Sequence, residues 1–488
     1  MRSDIYDLRS ALKVLQEIPG EYEEFDLPAD LDAQMIGYYQ KLGARGTSRR
    51  PTKLGPMMMF TNVKGHPGAK VAIGVMGTRE RVGHLLGEPA EKLPHFYNKC
   101  LDQLVDPVEI PSEQALCHEE VHLASDPDFD LFKLLPVPRT TPKDAGPYIT
   151  MGLCYASDPD NRADRNAAVH RLCIVGKDEM VMGFGGYRHM GVFKDKAFAK
   201  GQPLPISVNI GLDPALYLAS SFEPPTTPLG FDELTVAGAM RNRPVELTRC
   251  VSIDEYCIAN AEIVIEGELI PGQMVKEDIN SDTGRGLPEF PGYSGPARAC
   301  PLFKVKAVTF RKNPILQTCI GSSEEHVNMA GIPNEASVLA YADKAAPGLV
   351  LNAYCPPSGC GKFNAVIQIK KKSPADEGKE RHVALGIFGV LPETKNLFLV
   401  GEDVDIFDPY DVEWALTTRF RPDLDLIQIP GVRCHIGDPT EKQTYDPNLR
   451  ENGLGTKCIY DATVPFKLKD SFWRPEFMSV DEADFKED

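Results

Sequence analysis

Apolar residues recur at helical spacing at the start of the chain. Ile5, Leu8, Leu12 and Leu15 fall on one face, with Asp4, Asp7 and Glu17 between them, and Pro19-Gly20 ends the predicted helix. Residues 26–88 mix short apolar runs with turn signals at Lys64-Gly65 and Pro67-Gly68. A proline-rich, irregular stretch follows, from Pro107 through Asp126-Pro127-Asp128 to Pro142. The period then changes. Residues 148–320 read mainly as strands: Ile263, Val264 and Ile265 are β-branched, and residues 303–307 alternate with period two before the Lys312-Asn313-Pro314 turn. From His326 onward strands and helices alternate, with a buried strand predicted at 396–400 and a helix at Pro409–Arg419. No repeat or low-complexity segment interrupts this order. The outline is an α/β chain with a strand-rich middle.

Size and charge narrow the picture. A chain of 488 residues exceeds one ordinary core, so two or three domains are expected. A net charge of -17 works against nucleic acid or an anionic membrane as partner. An acidic chain acting on an anionic substrate must gather Arg and Lys in a cleft. The acidic first helix does not read as a secretion signal, and no stretch approaches the roughly 18 apolar residues of a membrane span. The 12 cysteines show no paired framework, which predicts reduced thiols in a cytoplasmic protein.

Several motifs then compete. His118-Glu119-Glu120-Val121-His122 matches the H-E-x-x-H of zinc hydrolases, a chemistry that needs both imidazoles one turn apart on a helix. Pro111 and Ser125-Asp126-Pro127 flank it, no third ligand follows at a familiar spacing, and a strand or loop is expected. Gly359-Cys360-Gly361-Lys362-Phe363 ends in Phe where a phosphate loop requires Ser or Thr, and Gly183-Phe184-Gly185-Gly186 lacks the third glycine of a dinucleotide turn. Between residues 166 and 289 lies a more informative group. Asn166 and Arg171 share a strand-like segment, His189 follows Arg188, and Glu233 follows Asp232. Two oxygen donors and one imidazole suit Mn²⁺ or Mg²⁺ better than zinc.

Six separated segments, in order, carry a family resemblance. They are Asp126-Pro127-Asp128-Phe129-Asp130-Leu131, Asp144-Ala145-Gly146-Pro147-Tyr148, Ala219-Ser220-Ser221, Pro288-Glu289-Phe290-Pro291-Gly292-Tyr293, Glu402-Asp403-Val404-Asp405 and Trp414-Ala415-Leu416-Thr417-Thr418-Arg419. Together they resemble the UbiD-type decarboxylases nearly end to end, above all the branch acting on protocatechuate (3,4-dihydroxybenzoate) and related phenolic acids. The resemblance implies an N-terminal α/β region (1–125), a flavin-binding split β-barrel (126–320) and a C-terminal α/β oligomerisation domain (321–488). It implies a homodimer or homohexamer that uses prenylated FMN supplied by a flavin prenyltransferase.

The same resemblance assigns residues. Asn166, His189 and Glu233 would hold Mn²⁺ (or Mg²⁺) against the flavin phosphate, with K⁺ beside Ala167, Ser220 and Glu233. Ser220, Ser221, His189, Arg171 and Lys395 would border the cofactor. Arg171 would orient the substrate carboxylate, Glu289 would carry the proton, and His326, His435 and Lys362 would line the substrate pocket. One position departs from the family pattern: its second acidic residue, five before Glu289, is here Gly284. Asp282, Arg285 or a histidine is left to complete that relay. The expected reaction is reversible, non-oxidative decarboxylation of a hydroxybenzoate. A heteroaromatic acid (pyrrole, furan or indole carboxylate) is the main alternative, and a zinc hydrolase at His118/His122 is a remoter one.

Overall fold

The computed structural model describes residues 2–45, 54–184 and 188–480, so Gly185 and Gly186 of the glycine motif lie outside the described residues. The first helix is Leu8–Gln16, where the sequence period places it. Asp7 caps it by accepting from the Ser10 amide at 2.8 Å, and Ser10 Oγ accepts from the Asp7 amide at 3.1 Å, so two orphan donors are satisfied reciprocally. Its apolar face buries Leu8, Leu12 and Leu15 against Met57, Met59 and Ala72. The strands carrying those residues, Met57–Phe60 and Lys70–Ile73, belong to a four-stranded N-terminal sheet with Tyr22–Phe25 and Ile315–Thr318.

The strand-rich middle closes on itself. Six strands run in ring order Ile263–Lys276, Leu204–Ile210, Tyr148–Ser157, Arg165–Ile174, Glu179–Met182 and Ala299–Phe310. The last pairs with the first, Ile263 opposite Phe310, and each neighbouring pair is antiparallel. Closure removes the exposed edge that an open sheet of this length would carry. Leu172, Val208, Ile265 and Phe303 belong to the buried core that forms with it. The sheets cross the boundaries expected at 125 and 320. Glu120–Leu123 pairs with the barrel strand Ala299–Phe310, and Ile315–Thr318 returns to the N-terminal sheet.

A 22-residue helix, Glu324–Ala345, joins the regions. Met329, Ile332 and Ala336 pack with the barrel-side core, whereas Val338, Leu339 and Ala342 pack with the C-terminal core. The buried Glu325 carboxylate pins its start, accepting from the amides of Gly74 and Met76 at 2.9 Å each. Beyond it lies a five-stranded sheet in the order Val350–Tyr354, Asn364–Ile369, Asn396–Gly401, Leu454–Ala462 and Leu426–Arg433. Asn396–Gly401 is the strand expected from its apolar run, with Leu397, Leu399 and Val400 fully buried. Pro409–Arg419 is the expected helix, started by Asp408, whose carboxylate accepts from the Tyr410 amide at 2.9 Å. Among the described residues no helix is long and apolar enough to cross a membrane.

Candidate active site

A cavity of about 1130 Å³ opens between the barrel and the loops of the C-terminal region. Asn166, Arg171, His189, Ser220, Ser221, Glu233, Glu289, His326, Lys362 and His435 all line it. Residues spread over most of the chain therefore converge on one space, through the barrel strand Arg165–Ile174, three helix starts, one helix end and three loops.

One end is a buried polar cluster. Glu233 precedes the helix Leu234–Arg241 and is 2% exposed. Its carboxylate accepts from the Ala167 amide at 2.8 Å and from Asn166 Nδ2 at 3.2 Å to each oxygen, and His189 Nδ1 stands 3.9 Å away. Burial pushes the Glu233 carboxyl up to about 8, and the hydrogen bonds from the Ala167 amide and Asn166 offset only part of that cost. Asn166 Oδ1 is buried and accepts no hydrogen bond. An orphaned amide oxygen beside a buried carboxylate and an imidazole is what a hard divalent cation would satisfy. Ser220 and Ser221 border the same cluster, each hydroxyl donating to the Tyr217 carbonyl, at 3.0 and 2.8 Å.

The opposite end carries paired charges. Arg171 forms an ion pair with Glu289, and Nη2 stands 3.6 Å from Glu277. Glu277 is 3% exposed and accepts from the Arg298 amide at 3.0 Å. It directly follows the barrel strand Ile263–Lys276, so the end of that strand delivers it behind Arg171. Asp282 and Arg285, expected as possible partners beside Gly284, are both exposed, Asp282 at the end of a turn and Arg285 at the start of the strand Arg285–Pro288. The buried acid that backs Arg171 is Glu277, which the sequence reading did not single out. Gly321 lets the Glu289 loop approach: a Cβ there would meet the Pro288 carbonyl at 2.0 Å.

Two histidines flank Phe290, with ring centroids at 6.0 Å for His326 and 4.8 Å for His435. His326 Nδ1 lies 2.7 Å from the Gly321 carbonyl, which can only accept, so the neutral ring carries its proton on Nδ1 and Nε2 is an acceptor. His435 is the reverse. Its Nδ1 accepts from the Gly437 amide at 2.8 Å, which puts the proton of the neutral ring on Nε2. Burial holds His435 below its ordinary pKa, and the cations Lys362 and Arg188 act the same way against the opposing pull of Glu393. Lys362 donates to Glu223 and Glu393 at 2.8 and 2.7 Å, and Arg188 pairs with both carboxylates. Burial alone would raise Glu393, but Lys362, His435 and Arg188 outweigh it and hold the carboxyl well below its usual range. Arg188, Glu223 and Glu393 were not singled out from the sequence. Only the adjacency of Arg188 to His189 signalled any of them.

One expected cofactor neighbour and one competing motif stand apart from the cavity. Lys395 does not line the cavity, since its ammonium is held by Asp438, Thr440 and Glu441 at 3.0, 2.9 and 3.1 Å. Nor does the H-E-x-x-H motif form a helical zinc site. His118 ends a 3₁₀ turn, and His122 lies on the strand Glu120–Leu123 with its ring edge-on to Phe310. His118 Nε2 instead stands 3.7 Å from Cys257 Sγ.

The chain matches known proteins along almost all of its length. Residues 16–100, 108–324 and 327–462 match the N-terminal, Rift-related and C-terminal domains of the 3-octaprenyl-4-hydroxybenzoate carboxy-lyase family, UbiD. A gallate decarboxylase of Lactiplantibacillus plantarum is 45% identical over 483 residues, 98% of each chain. The apo structure of a 3,4-dihydroxybenzoic acid decarboxylase from Enterobacter cloacae superposes with a TM-score of 0.93 at 48% identity, covering 99% of both chains. The UbiD-class enzyme HmfF from Pelotomaculum thermopropionicum, solved in complex with FMN, gives 0.86 at 30% identity over 98% of this chain and all of that one.

Proposed function

The chain belongs to the UbiD family of carboxy-lyases, and we propose that it catalyses reversible, non-oxidative decarboxylation of a hydroxylated benzoate such as 3,4-dihydroxybenzoate. The observation that carries this reading is the pair of histidines flanking Phe290, whose backbone partners select opposite tautomers of the neutral rings, on the same cavity as Arg171 and Glu289. Adjacent ring hydroxyls need one acceptor and one donor. His326 Nε2 takes a phenolic proton, and His435 Nε2–H donates to the neighbouring oxygen. A pyrrole, furan or indole acid has no such pair to satisfy, so the histidines favour the phenolic substrate.

Loss of CO₂ from an aryl acid leaves charge in a ring orbital that no side chain can stabilise, and prenylated FMN, when bound, supplies the electrophilic carbon that accepts it. Asn166, His189 and Glu233 would hold Mn²⁺ or Mg²⁺ against its phosphate. Asn166 Oδ1 and the buried Glu233 support that assignment, and K⁺ beside Ala167 and Ser220 would complete the charge balance. Lys395, held by Asp438, Thr440 and Glu441, would have to leave those partners to reach the phosphate. Arg171 changes partner during turnover. The substrate carboxylate takes the guanidinium from Glu289, and Glu277 keeps Arg171 in place. Glu289, freed from its counter-charge, becomes less acidic and binds a proton, which it returns to the ring carbon after CO₂ departs. Lys362, bridging Glu223 and Glu393, fixes the wall behind His435.

Three further assignments complete the reading. A flavin prenyltransferase supplies the cofactor. Trp473, Phe477 and Met478, exposed at 71, 90 and 88%, support self-association to a homodimer or homohexamer, which light scattering would measure. The 12 free thiols support a cytoplasmic location. The test is CO₂ release by protein co-expressed with a flavin prenyltransferase, over a panel of 3,4-dihydroxybenzoate, gallate and pyrrole-, furan- and indole-carboxylates. Turnover of the phenolic acids is expected, whereas turnover of a heteroaromatic acid alone would overturn the assignment.

A further inference from the structure

We propose a second metal site, remote from the cavity: a structural zinc ion bound by Cys117, His118 and Cys257, with Cys250 as fourth ligand. The ligand atoms of the first three lie within 4.8 Å of one another. Cys117 Sγ stands 3.9 Å from Cys257 Sγ, and Cys257 Sγ stands 3.7 Å from His118 Nε2. Tetrahedral zinc with Zn–S of about 2.3 Å and Zn–N of about 2.0 Å requires sulfur–sulfur and sulfur–nitrogen edges of about 3.8 and 3.5 Å. The thiols are thus spaced as ligands around an ion. A disulfide would bring them to about 2.0 Å.

The surrounding chain builds the site. Cys117 and His118 end the 3₁₀ turn Leu116–His118. Cys257 lies on Tyr256–Ile258, which pairs with Glu246–Arg249 in a hairpin, and Cys250 directly follows that first strand. The Cys117 amide donates to the Ala259 carbonyl at 3.0 Å, holding turn and hairpin together, and the Cys250 amide donates to Glu255 at 2.9 Å across the hairpin loop. Cys250 lies on the adjoining hairpin loop, outside the set whose ligand atoms are all within 4.8 Å of one another, and would close in on the ion as fourth ligand. Glu266 stiffens the same loop by accepting from the amides of Val251 and Ser252 at 2.9 and 2.7 Å. His118 Nδ1 is bound to Ser112 Oγ at 2.8 Å, which turns Nε2 toward the sulfurs, the way metal-bound imidazoles are oriented through their second nitrogen. Cys117 and Cys257 are fully buried. Three thiolates and one imidazole are a soft donor set that selects zinc over manganese. None of the four residues lines the cavity, so the ion would tie the segment entering the barrel to the hairpin and leave the chemistry untouched.

Metal analysis of the purified holoenzyme tests this. One zinc per chain is expected in addition to the metal of the active site. Cys257→Ser and His118→Ala should each remove the zinc and lower the thermal midpoint while manganese and flavin stay bound. Because Cys257→Ser can impair folding, the wild-type chain is also stripped of zinc and refilled with Co²⁺. A thiolate-to-cobalt charge-transfer band in the near ultraviolet is expected, which the sulfur-free donors Asn166, His189 and Glu233 cannot produce. A wild-type protein that takes up neither zinc nor thiolate-bound cobalt would overturn the proposal. So would a Cys117–Cys257 disulfide in non-reduced peptides, or full zinc retention in Cys257→Ser.

Discussion

Replacing Glu289 by Gln separates proton transfer from assembly. The side chain is 34% exposed in the cavity and ion-paired with Arg171, while Glu277 holds the same guanidinium from its buried side at 3.6 Å. Gln keeps the size and hydrogen-bonding capacity of the side chain but cannot exchange a proton near neutral pH. None of the contacts from Asn166 and Ala167 to Glu233, the cluster proposed to hold the metal, involves Glu289, so metal and flavin occupancy should stay at the wild-type level. A positioned acid–base group is worth about 10²–10⁴ in rate. That corresponds to about 3–5 kcal/mol of barrier. Glu289 gives up Arg171 to the substrate and Glu277 still holds that guanidinium, so KM should move far less than kcat. The assay is CO₂ release from 3,4-dihydroxybenzoate by protein with matched flavin and metal content. Near-normal kcat with full occupancy would refute the reasoning and send the search for the proton to His326 and His435.

Three other perturbations probe separate parts of the account. Glu233→Ala and His189→Ala should each lower Mn²⁺ and flavin occupancy together, measured by metal analysis and visible absorption, and loss of metal with full flavin retention would contradict a shared site. His326→Leu removes the acceptor for one ring hydroxyl. An unpaired buried donor costs about 1–3 kcal/mol, so kcat/KM for 3,4-dihydroxybenzoate should fall by about 5- to 150-fold, with little change for 4-hydroxybenzoate if His326 serves the second hydroxyl. Burial raises the Glu325 carboxyl from its ordinary 4.5 to about 7, against the lowering effect of the Met76 and Gly74 amides and of Arg81. Between those pH values the unfolded chain has released this proton and the folded chain has kept it, so stability falls as pH rises through the window, by up to about 3 kcal/mol. Glu325→Gln should flatten that slope in thermal midpoints taken across the window, and an unchanged slope would show that Glu325 is not its source.

Much of this was legible along the chain, and the remainder failed for identifiable reasons. The helices Leu8–Gln16 and Pro409–Arg419 carry their own caps and periodicity, so local sequence suffices. Barrel closure does not announce itself locally, because it rests on Ile263 meeting Phe310 across a long connection. Asn166, His189 and Glu233 could be grouped by donor chemistry, and the folded chain brings them together. Lys395 looked equally suitable at its strand end, but the loop carrying Asp438, Thr440 and Glu441 folds over and takes its charge. Glu277 has no motif around it, and only the pairing of its strand with Ala299–Phe310 sets it behind Arg171. His118 stood out in the wrong company: its neighbour in space is Cys257, 139 residues on, rather than His122.

The central claim, that a prenylated flavin and Glu289 together exchange a proton with the ring of a dihydroxylated arene, is tested most directly by deuterium exchange. Catechol is incubated in deuterated water with enzyme made with and without a flavin prenyltransferase, and ring deuteration is followed by NMR. Exchange at the carbon that would bear the carboxylate is expected with the prenylated cofactor, absent with plain FMN, and lost in Glu289→Gln in parallel with decarboxylation. Equal exchange with plain FMN, or exchange that survives in Glu289→Gln, would contradict the account.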